Sequence, residues 1–220
     1  IAKKEKVVVG STPLDELKKK YDENHRKERN QIPVVLVAPS WGKSGILSKY
    51  GDGFLSALEK TGFEIIVRPH PQSFTSEKAL LDSLIEKHPS ISWNRDNDNF
   101  SVLDKSDILI TDFSGIIFEY ALVFKKPLIY ADTEFDSLPY DTDWLDEEYW
   151  SLRKLPQIGF KLEENSICDI KDVICRALDS QELSKGREEL ENECWNCIGK
   201  AGFYCAEYLI EKRRTLLEGK

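Results

Sequence analysis

Short apolar runs alternate along this chain with longer stretches in which apolar residues recur at helical spacing. Ile32 to Ala38, Phe63 to Val67, Asp107 to Ile110 and Pro127 to Ala131 read as strands, and Ser90 to Trp93 as a brief one. Val7-Val-Val-Gly10, followed by Ser11, Thr12 and Pro13, reads as a further strand leading into a charged helix that runs to about Arg29. Between the strands, Ile46 to Lys60 is a helix closed by Gly62, and Glu77 to Lys87 carries Leu80, Leu81, Leu84 and Ile85 at helical spacing. Phe100 to Lys105 is a short helix and Ser114 to Phe124 an apolar one. Strand, crossover and strand units of this length predict an α/β fold, a parallel doubly wound sheet with helices on both faces. Helices are expected again over Ile167 to Leu178, Gln181 to Glu193 and Lys200 to Leu217, with no linker rich in glycine or serine between them. A single domain over residues 1–220 is therefore expected, its carboxyl-terminal helices starting near residue 181.

A chain of 220 residues can bury a sufficient core without a disulfide or metal staple. Charged residues make up 32% and the net charge is -8, which argues against nucleic acid or an anionic membrane surface as the main partner. Positive charge is to be sought in small pockets. The longest apolar runs fall far short of the roughly 20 residues that span a bilayer, so no direct membrane insertion is expected. The chain starts at Ile1, contains no methionine and shows no signal peptide, and it reads as a piece of a longer protein. Its five cysteines, Cys168, Cys175, Cys194, Cys197 and Cys205, form no disulfide framework and point to a reducing cytoplasm. Cys194-Trp-Asn-Cys197 has the spacing of a zinc or redox pair, but no second pair completes a ligand set, and apolar helix positions account for these cysteines.

In open parallel sheets ligands bind beyond the carboxyl ends of the strands, so the residues just after each strand carry the functional weight. Arg68-Pro-His-Pro71 places a fixed cation and an imidazole on a proline-stiffened turn. Arginine can hold two phosphate oxygens at once, and His70 can donate to a leaving phosphate or serve only as a turn residue. In Thr111-Asp-Phe-Ser-Gly115, Ser114 is placed to cap a helix and Gly115 lets a ligand approach the first amides, an arrangement that suits a diphosphate or plain capping. Asp112 could orient a loop, cap the helix or accept from a ligand hydroxyl. Pro39-Ser-Trp-Gly-Lys-Ser-Gly45 contains Gly-Lys-Ser but lacks the upstream glycine of an ATP-hydrolysing phosphate loop, and reads as a substrate-holding loop or a surface turn. No Gly-x-Gly-x-x-Gly follows the first strand, which excludes a dehydrogenase fingerprint. The acidic, aromatic stretch from Asp132 to Asp146 reads as a long loop near the ligand side or a solvated surface loop. His25 and His88 are expected to be structural or exposed, and the five tryptophans are too dispersed for a stacking platform.

Arg68-Pro-His-Pro71, Ser106-Asp-Ile-Leu-Ile-Thr-Asp-Phe-Ser-Gly115, Glu119-Tyr-Ala121 and Pro127-Leu-Ile-Tyr130, in that order and spacing, resemble the CDP-glycerol glycerophosphotransferase family of teichoic-acid polymerases. Gly10-Ser-Thr-Pro-Leu-Asp15 and Pro39-Ser-Trp41 are similar to the beginning of that family's carboxyl-terminal half. The resemblance implies a Rossmann-like, donor-nucleotide-binding half of a GT-B fold, with the acceptor-side domain absent from this chain. It implies that Arg68 and His70 contact the donor diphosphate, that Thr111, Ser114 and Gly115 bind phosphate at the helix start, and that Glu119 lies near the ribose. Ser40, Trp41 and Asp112 join Glu119 as implied nucleotide-binding residues. The implied reaction displaces CMP from CDP-glycerol and attaches glycerol phosphate to an acceptor hydroxyl, with no cofactor and no metal. Its partners are CDP-glycerol or a related nucleotide-linked donor and, through the absent domain, an acceptor polymer. The family often has a basic residue where Gly42 stands, a serine in place of Gly115 and an aspartate in place of Glu119, departures that bear on the donor more than on the fold. A GT-B glycosyltransferase using a nucleotide sugar and a non-catalytic nucleotide-binding module remain the alternatives. The full-length protein is expected in the cytoplasm, peripheral on the inner face of the membrane.

Overall fold

The computed structural model describes residues 5–24, 30–136 and 149–218. Its centre is a six-stranded, all-parallel sheet built from β1 (Val34–Val37), β2 (Glu64–Val67), β3 (Ser92–Trp93), β4 (Ile108–Thr111), β5 (Leu128–Ala131) and β6 (Phe160–Leu162). The spatial order is β3-β2-β1-β4-β5-β6. The chain therefore runs outward from β1 to one edge, returns to the centre at β4, and runs outward to the other edge. β1 and β4 lie side by side with Val37 opposite Ile110, and their carboxyl ends form the crevice where the winding reverses.

Alternate strand residues feed two separate cores. Val35, Val37, Ile108, Ile110 and Ile129 face α2 (Ile46–Glu59), α4 (Lys78–Lys87) and α8 (Ile170–Asp179). Val34, Leu36, Leu109 and Leu128 face α5 (Phe100–Lys105), α7 (Trp150–Ile158), α9 (Gln181–Cys194) and the segment that follows β4. Burial on both faces explains why these strands read as unbroken apolar runs. α2 is two helical pieces joined at Gly51, whose φ of 42° interrupts the single helix expected there. The apolar helix expected from Ser114 is a turn of α6 (Ile116–Glu119) followed by a wider π-helical turn, Tyr120–Phe124, whose side chains are all buried.

Val7-Val-Val-Gly10 is not a strand. Val7 and Val8 are exposed, and Gly10 lies instead against the chain between Asn196 and Ala201. Strand propensity counts only where a ladder is open to the segment, and the edges of this sheet are β3 and β6. α1 (Thr12–Asn24) is tied to the far end of the chain by Asp15, whose carboxylate accepts from the Trp195 indole at 3.3 Å and from the Gly199 and Ala201 amides at 2.8 and 2.9 Å. The Ala201 bond caps α10 (Ala201–Glu218). β6, α7 and the short α3 (Ser73–Ser76) went unpredicted, β6 because three residues make no legible run. His25, the end of the first charged helix and the acidic stretch beyond Asp136 lie outside the described residues. His88 is buried and structural, its ring nitrogens 2.8 Å from Glu59 Oε2 and 3.1 Å from Asp52 Oδ1. Cys194 and Cys197 belong to no group of three or more metal-ligating side chains among the described residues. None of the described helices is long and apolar enough to cross a membrane.

Gly186 sits inside α9, where alanine would ordinarily be the better helix former. A Cβ there would come within 1.8 Å of the Gln157 carbonyl oxygen of α7. We expect Gly186→Ala to destabilise the chain by about 1–3 kcal/mol through this overpacking, read by urea unfolding. An unchanged or raised midpoint would show that α7 and α9 are not packed this closely.

Candidate functional site

Four segments meet at the crevice beyond β1, β2 and β4: the loop Ala38–Gly45, the turn Arg68–Pro71, the polar stretch after β3, and the turn Asp112–Gly115. Asp112 holds two of them together. Its side chain is 1% exposed, the Ser40 amide lies 3.0 Å from both of its oxygens, and the Ile46 and Phe113 amides donate at 3.0 and 2.7 Å. Ile46 opens α2, so a carboxylate 66 residues away in sequence caps that helix in place of a local side chain. Burial raises the Asp112 carboxyl above its usual range, while the four amide and hydroxyl bonds pull it back down. Thr111 is 0% exposed and donates its hydroxyl to the Ala38 carbonyl at 2.7 Å. Asp112 thus orients the Ser40 loop, one of the roles the sequence left open to it, and Thr111 lies buried beside it. Thr111 has committed its hydroxyl hydrogen, Asp112 has its oxygens filled by donors of its own chain, and both lie under the site.

The loop they shape is narrow. Gly42 has φ of 91°, a conformation that a basic residue would adopt only under strain, and a Cβ on Gly45 would lie 2.5 Å from the Ser40 carbonyl oxygen. The Gly-Lys-Ser sequence is thus a tight turn, with Lys43 exposed and the Ser44 hydroxyl accepting from the Asp136 amide at 3.0 Å. That bond draws the start of the acidic stretch onto the site.

Arg68 is turned sideways. One Nη donates to Asn94 Oδ1 and the other to the Asp96 carbonyl at 2.7 Å, which fixes the guanidinium against the loop after β3. His70 is exposed at the crevice, and its Nδ1 accepts from the Gln72 amide at 3.1 Å. The neutral ring therefore carries its proton on Nε2. Desolvation holds the His70 pKa below 6.5 despite the opposing pull of Asp112 and Glu77. Ser114 does not cap α6 through its side chain; Gly115 occupies the cap position without a side-chain bond, and the Ser114 carbonyl accepts from the Ile117 amide at 3.2 Å. Gly115 is exposed, and a Cβ on it would meet nothing within 4 Å.

Two clefts open on either side of this turn, and both are walled by His70, Ser114 and Gly115. The larger, about 470 Å³, adds Arg68, Asn97, Asn99 and Glu119. The smaller, about 290 Å³, adds Ser40, Trp41, Phe113, Phe135 and Tyr149. Of the residues singled out in the sequence, the structure thus gathers Ser40, Trp41, Arg68, His70, Ser114, Gly115 and Glu119 around one turn. Asn97, Asn99, Phe113, Phe135 and Tyr149 were missed as cleft residues. Phe113 sat in plain view within the motif, whereas the others lie in stretches whose composition signals only polarity or acidity.

A family model described as CDP-Glycerol:Poly(glycerophosphate) glycerophosphotransferase matches residues 3–147. The chain belongs to this family. The matched residues include every strand end that lines the crevice, whereas Tyr149 of the smaller cleft lies beyond them. Among curated relatives, the chain is 27% identical over 219 residues to the minor teichoic acid biosynthesis protein GgaB of Bacillus subtilis (strain 168), covering 86% of this chain and 22% of that protein. Among solved structures it is similar to the wall teichoic acid polymerase TagF soaked with CDPG, at TM-score 0.52 and 20% identity, over 93% of this chain and 48% of that one. It is also similar to a UDP-forming α,α-trehalose-phosphate synthase from Burkholderia vietnamiensis, at TM-score 0.54 and 12% identity, over 93% of this chain and 52% of that one. These likenesses establish a GT-B-like fold. The chain spans about a fifth of GgaB and about half of TagF.

Glu119 is half-buried, and desolvation raises its carboxyl above 4.5, with an Asn99 hydrogen bond opposing. Between the unfolded and the raised folded value the native state binds more protons than the unfolded one, so this group's contribution to stability falls as pH rises through that window. Glu119→Gln should flatten that part of the stability profile, measured by denaturant unfolding from pH 4 to 7. An unaltered slope would mean that Glu119 is solvated. Asp112→Ala strands several buried amides and should cost about 2–4 kcal/mol, whereas Gly115→Ala, with open space around it, should leave unfolding unchanged within error.

Proposed function

We propose that this chain is the donor-binding half of a transferase that moves glycerol phosphate from CDP-glycerol to an acceptor hydroxyl during teichoic acid synthesis. The observation that carries the proposal is the shared wall of His70, Ser114 and Gly115 between two clefts of different chemistry. A nucleotide-linked donor has the same layout, a nucleoside joined to a second group through a diphosphate. In this reading the diphosphate lies over the turn, near the first amides of α6 and the Nε2 proton of His70. The nucleoside enters the larger cleft, with Glu119 accepting from ribose hydroxyls. Arg68 lines that cleft, and its bonds to the loop after β3 leave N–H groups over for phosphate or base oxygens.

Transfer then forms a bond between the acceptor oxygen and the glycerol-bearing phosphorus and breaks the bridging P–O bond, so that CMP departs with the electron pair. Developing negative charge on the departing phosphate is met by the His70 Nε2–H and the backbone amides of the turn, groups already oriented before the reaction. The base that takes the acceptor's proton comes from the amino-terminal half of the full-length enzyme. The isolated chain therefore binds nucleotide and turns over poorly. The full-length protein works in the cytoplasm, peripheral on the inner face of the membrane, where its polymer acceptor is presented.

Calorimetric titration with CDP-glycerol, CMP, CDP, UDP and UDP-N-acetylglucosamine tests this reading. Cytidine ligands should bind selectively, with His70→Ala and Arg68→Ala each weakening CDP-glycerol by about tenfold, the worth of one charge-assisted bond. Preference for a uridine ligand would point to a nucleotide-sugar glycosyltransferase, and the absence of any binding would reduce the crevice to a structural feature. Because His70 is neutral above its lowered pKa, CDP-glycerol affinity should rise as pH falls through that value and the ring gains charge, and His70→Ala should abolish the rise. The diphosphate diester does not titrate in this range, so a rise that persists in the variant would assign the effect elsewhere.

A further inference from the structure

We infer that Asn94 is a positioning residue for Arg68, holding the guanidinium by uncharged acceptors so that its charge is left for the phosphates of an anionic ligand. The inference rests on the donor-binding reading and adds to it a residue that acts through another. Arg68 belongs to the described lining of the larger cleft, and Asn94 does not.

The sheet brings the two together. β2 and β3 pair with Ile66 opposite Ser92 and Val67 opposite Trp93, and the Asn94 amide extends the ladder by donating to the Val67 carbonyl at 2.8 Å. Arg68 and Asn94 are thus lateral neighbours, and residues so paired project to the same face. Asn94 Oδ1 accepts from one Nη of Arg68, and the Asp96 backbone carbonyl accepts from the other at 2.7 Å. Asn94 Nδ2 donates to Asp96 Oδ2 at 2.8 Å, which closes the ring Arg68–Asn94–Asp96. In that ring the amide oxygen must face the arginine, which only donates, and the amide nitrogen must face the carboxylate, which only accepts. Asp96 thereby fixes which end of Asn94 meets Arg68. Between them, the Arg95 guanidinium lies 4.9 Å from the centre of the Phe74 ring and pins the same stretch to α3.

The charges are arranged unlike those of an ion pair. Both acceptors of Arg68 are neutral, an amide oxygen and a peptide carbonyl, while the Asp96 carboxylate is engaged by Asn94 instead. A carboxylate against the guanidinium would hold it as firmly but would offset the charge that a diphosphate needs. Neutral acceptors orient the planar fork and leave its charge and its remaining N–H groups to the cleft. Asn94 is half-buried and Asp96 exposed, so the carboxylate keeps its solvation while it directs the amide.

The test is a double-mutant cycle of Asn94→Ala and Arg68→Ala, titrated calorimetrically with CDP-glycerol, CDP and uncharged cytidine. Asn94→Ala should weaken CDP-glycerol and CDP by about fivefold in the unaltered chain. With Arg68 already replaced by alanine the same change should cost less than about twofold, because a residue that acts through another has no effect in its absence. Equal losses in both backgrounds would show that Asn94 acts independently and would overturn the inference, as would equal weakening of cytidine. A second variant exchanges the two polar residues, Asn94→Asp together with Asp96→Asn. It keeps the net charge and a side-chain bond between the two positions but moves the carboxylate onto Arg68. CDP-glycerol should then weaken by about tenfold, as with Arg68→Ala, and unchanged or tighter binding would overturn the inference too. Thermal unfolding checks that each variant is folded at the temperature of titration. Failure of the unaltered chain to bind any cytidine ligand would overturn the donor-binding reading and this inference together, whereas normal binding with additive losses overturns this inference alone.

Discussion

The buried carboxylate of Asp112 is the constraint on which the crevice depends. Its position after β4 is set by the sheet, and its oxygens collect the Ser40 and Ile46 amides from a loop that belongs to β1. Without it the loop would have to satisfy those donors from water, in a place where Thr111 and Ala38 have already closed the floor. A carboxyl this deeply buried is tolerable only because its acceptor capacity is filled. The consequence is a site with a hydrogen-bonded floor, above which His70, Ser114 and Gly115 line both clefts.

The same floor also explains how one turn can serve two clefts. The strand order places β1 and β4 together at the reversal of winding, and the loops after them diverge to opposite sides. β2 contributes Arg68 and His70 from the next position outward, and the arginine is spent partly on its own neighbours Asn94 and Asp96. That bracing fixes the stretch after β3 beside the larger cleft. On the other side the Ser44–Asp136 bond does the same for Phe135. Each cleft is therefore built from one strongly patterned turn and one weakly patterned loop tied to it by polar contacts of a single side chain, Arg68 on one side and Ser44 on the other.

That division separates what could be read from what could not. Runs such as Val34–Val37 and Ile108–Ile110 identify buried parallel strands because both of their faces meet helices, and the residues after them stand out by chemistry and position. Phe160–Leu162 carries no such run, since three edge residues need little apolar surface to pair with β5. Val7-Val-Val carries the run but finds no open ladder, and α1 is held by Asp15 at the opposite end of the chain. Strand propensity is local, whereas pairing is not.

By itself the sequence determined the fold class, the strands that carry the crevice, and the motif order that matches the glycerophosphotransferase family. These follow from short-range periodicity and from residue types at fixed spacing, which survive in a linear string. Only the tertiary structure decided that Thr111 and Asp112 lie beneath the site, that Arg68 is braced sideways, and that Phe113, Phe135 and Tyr149 form one aromatic wall. Each of those depends on which way a side chain faces once distant segments meet, and burial and hydrogen-bond satisfaction settle that only when the whole sheet is closed.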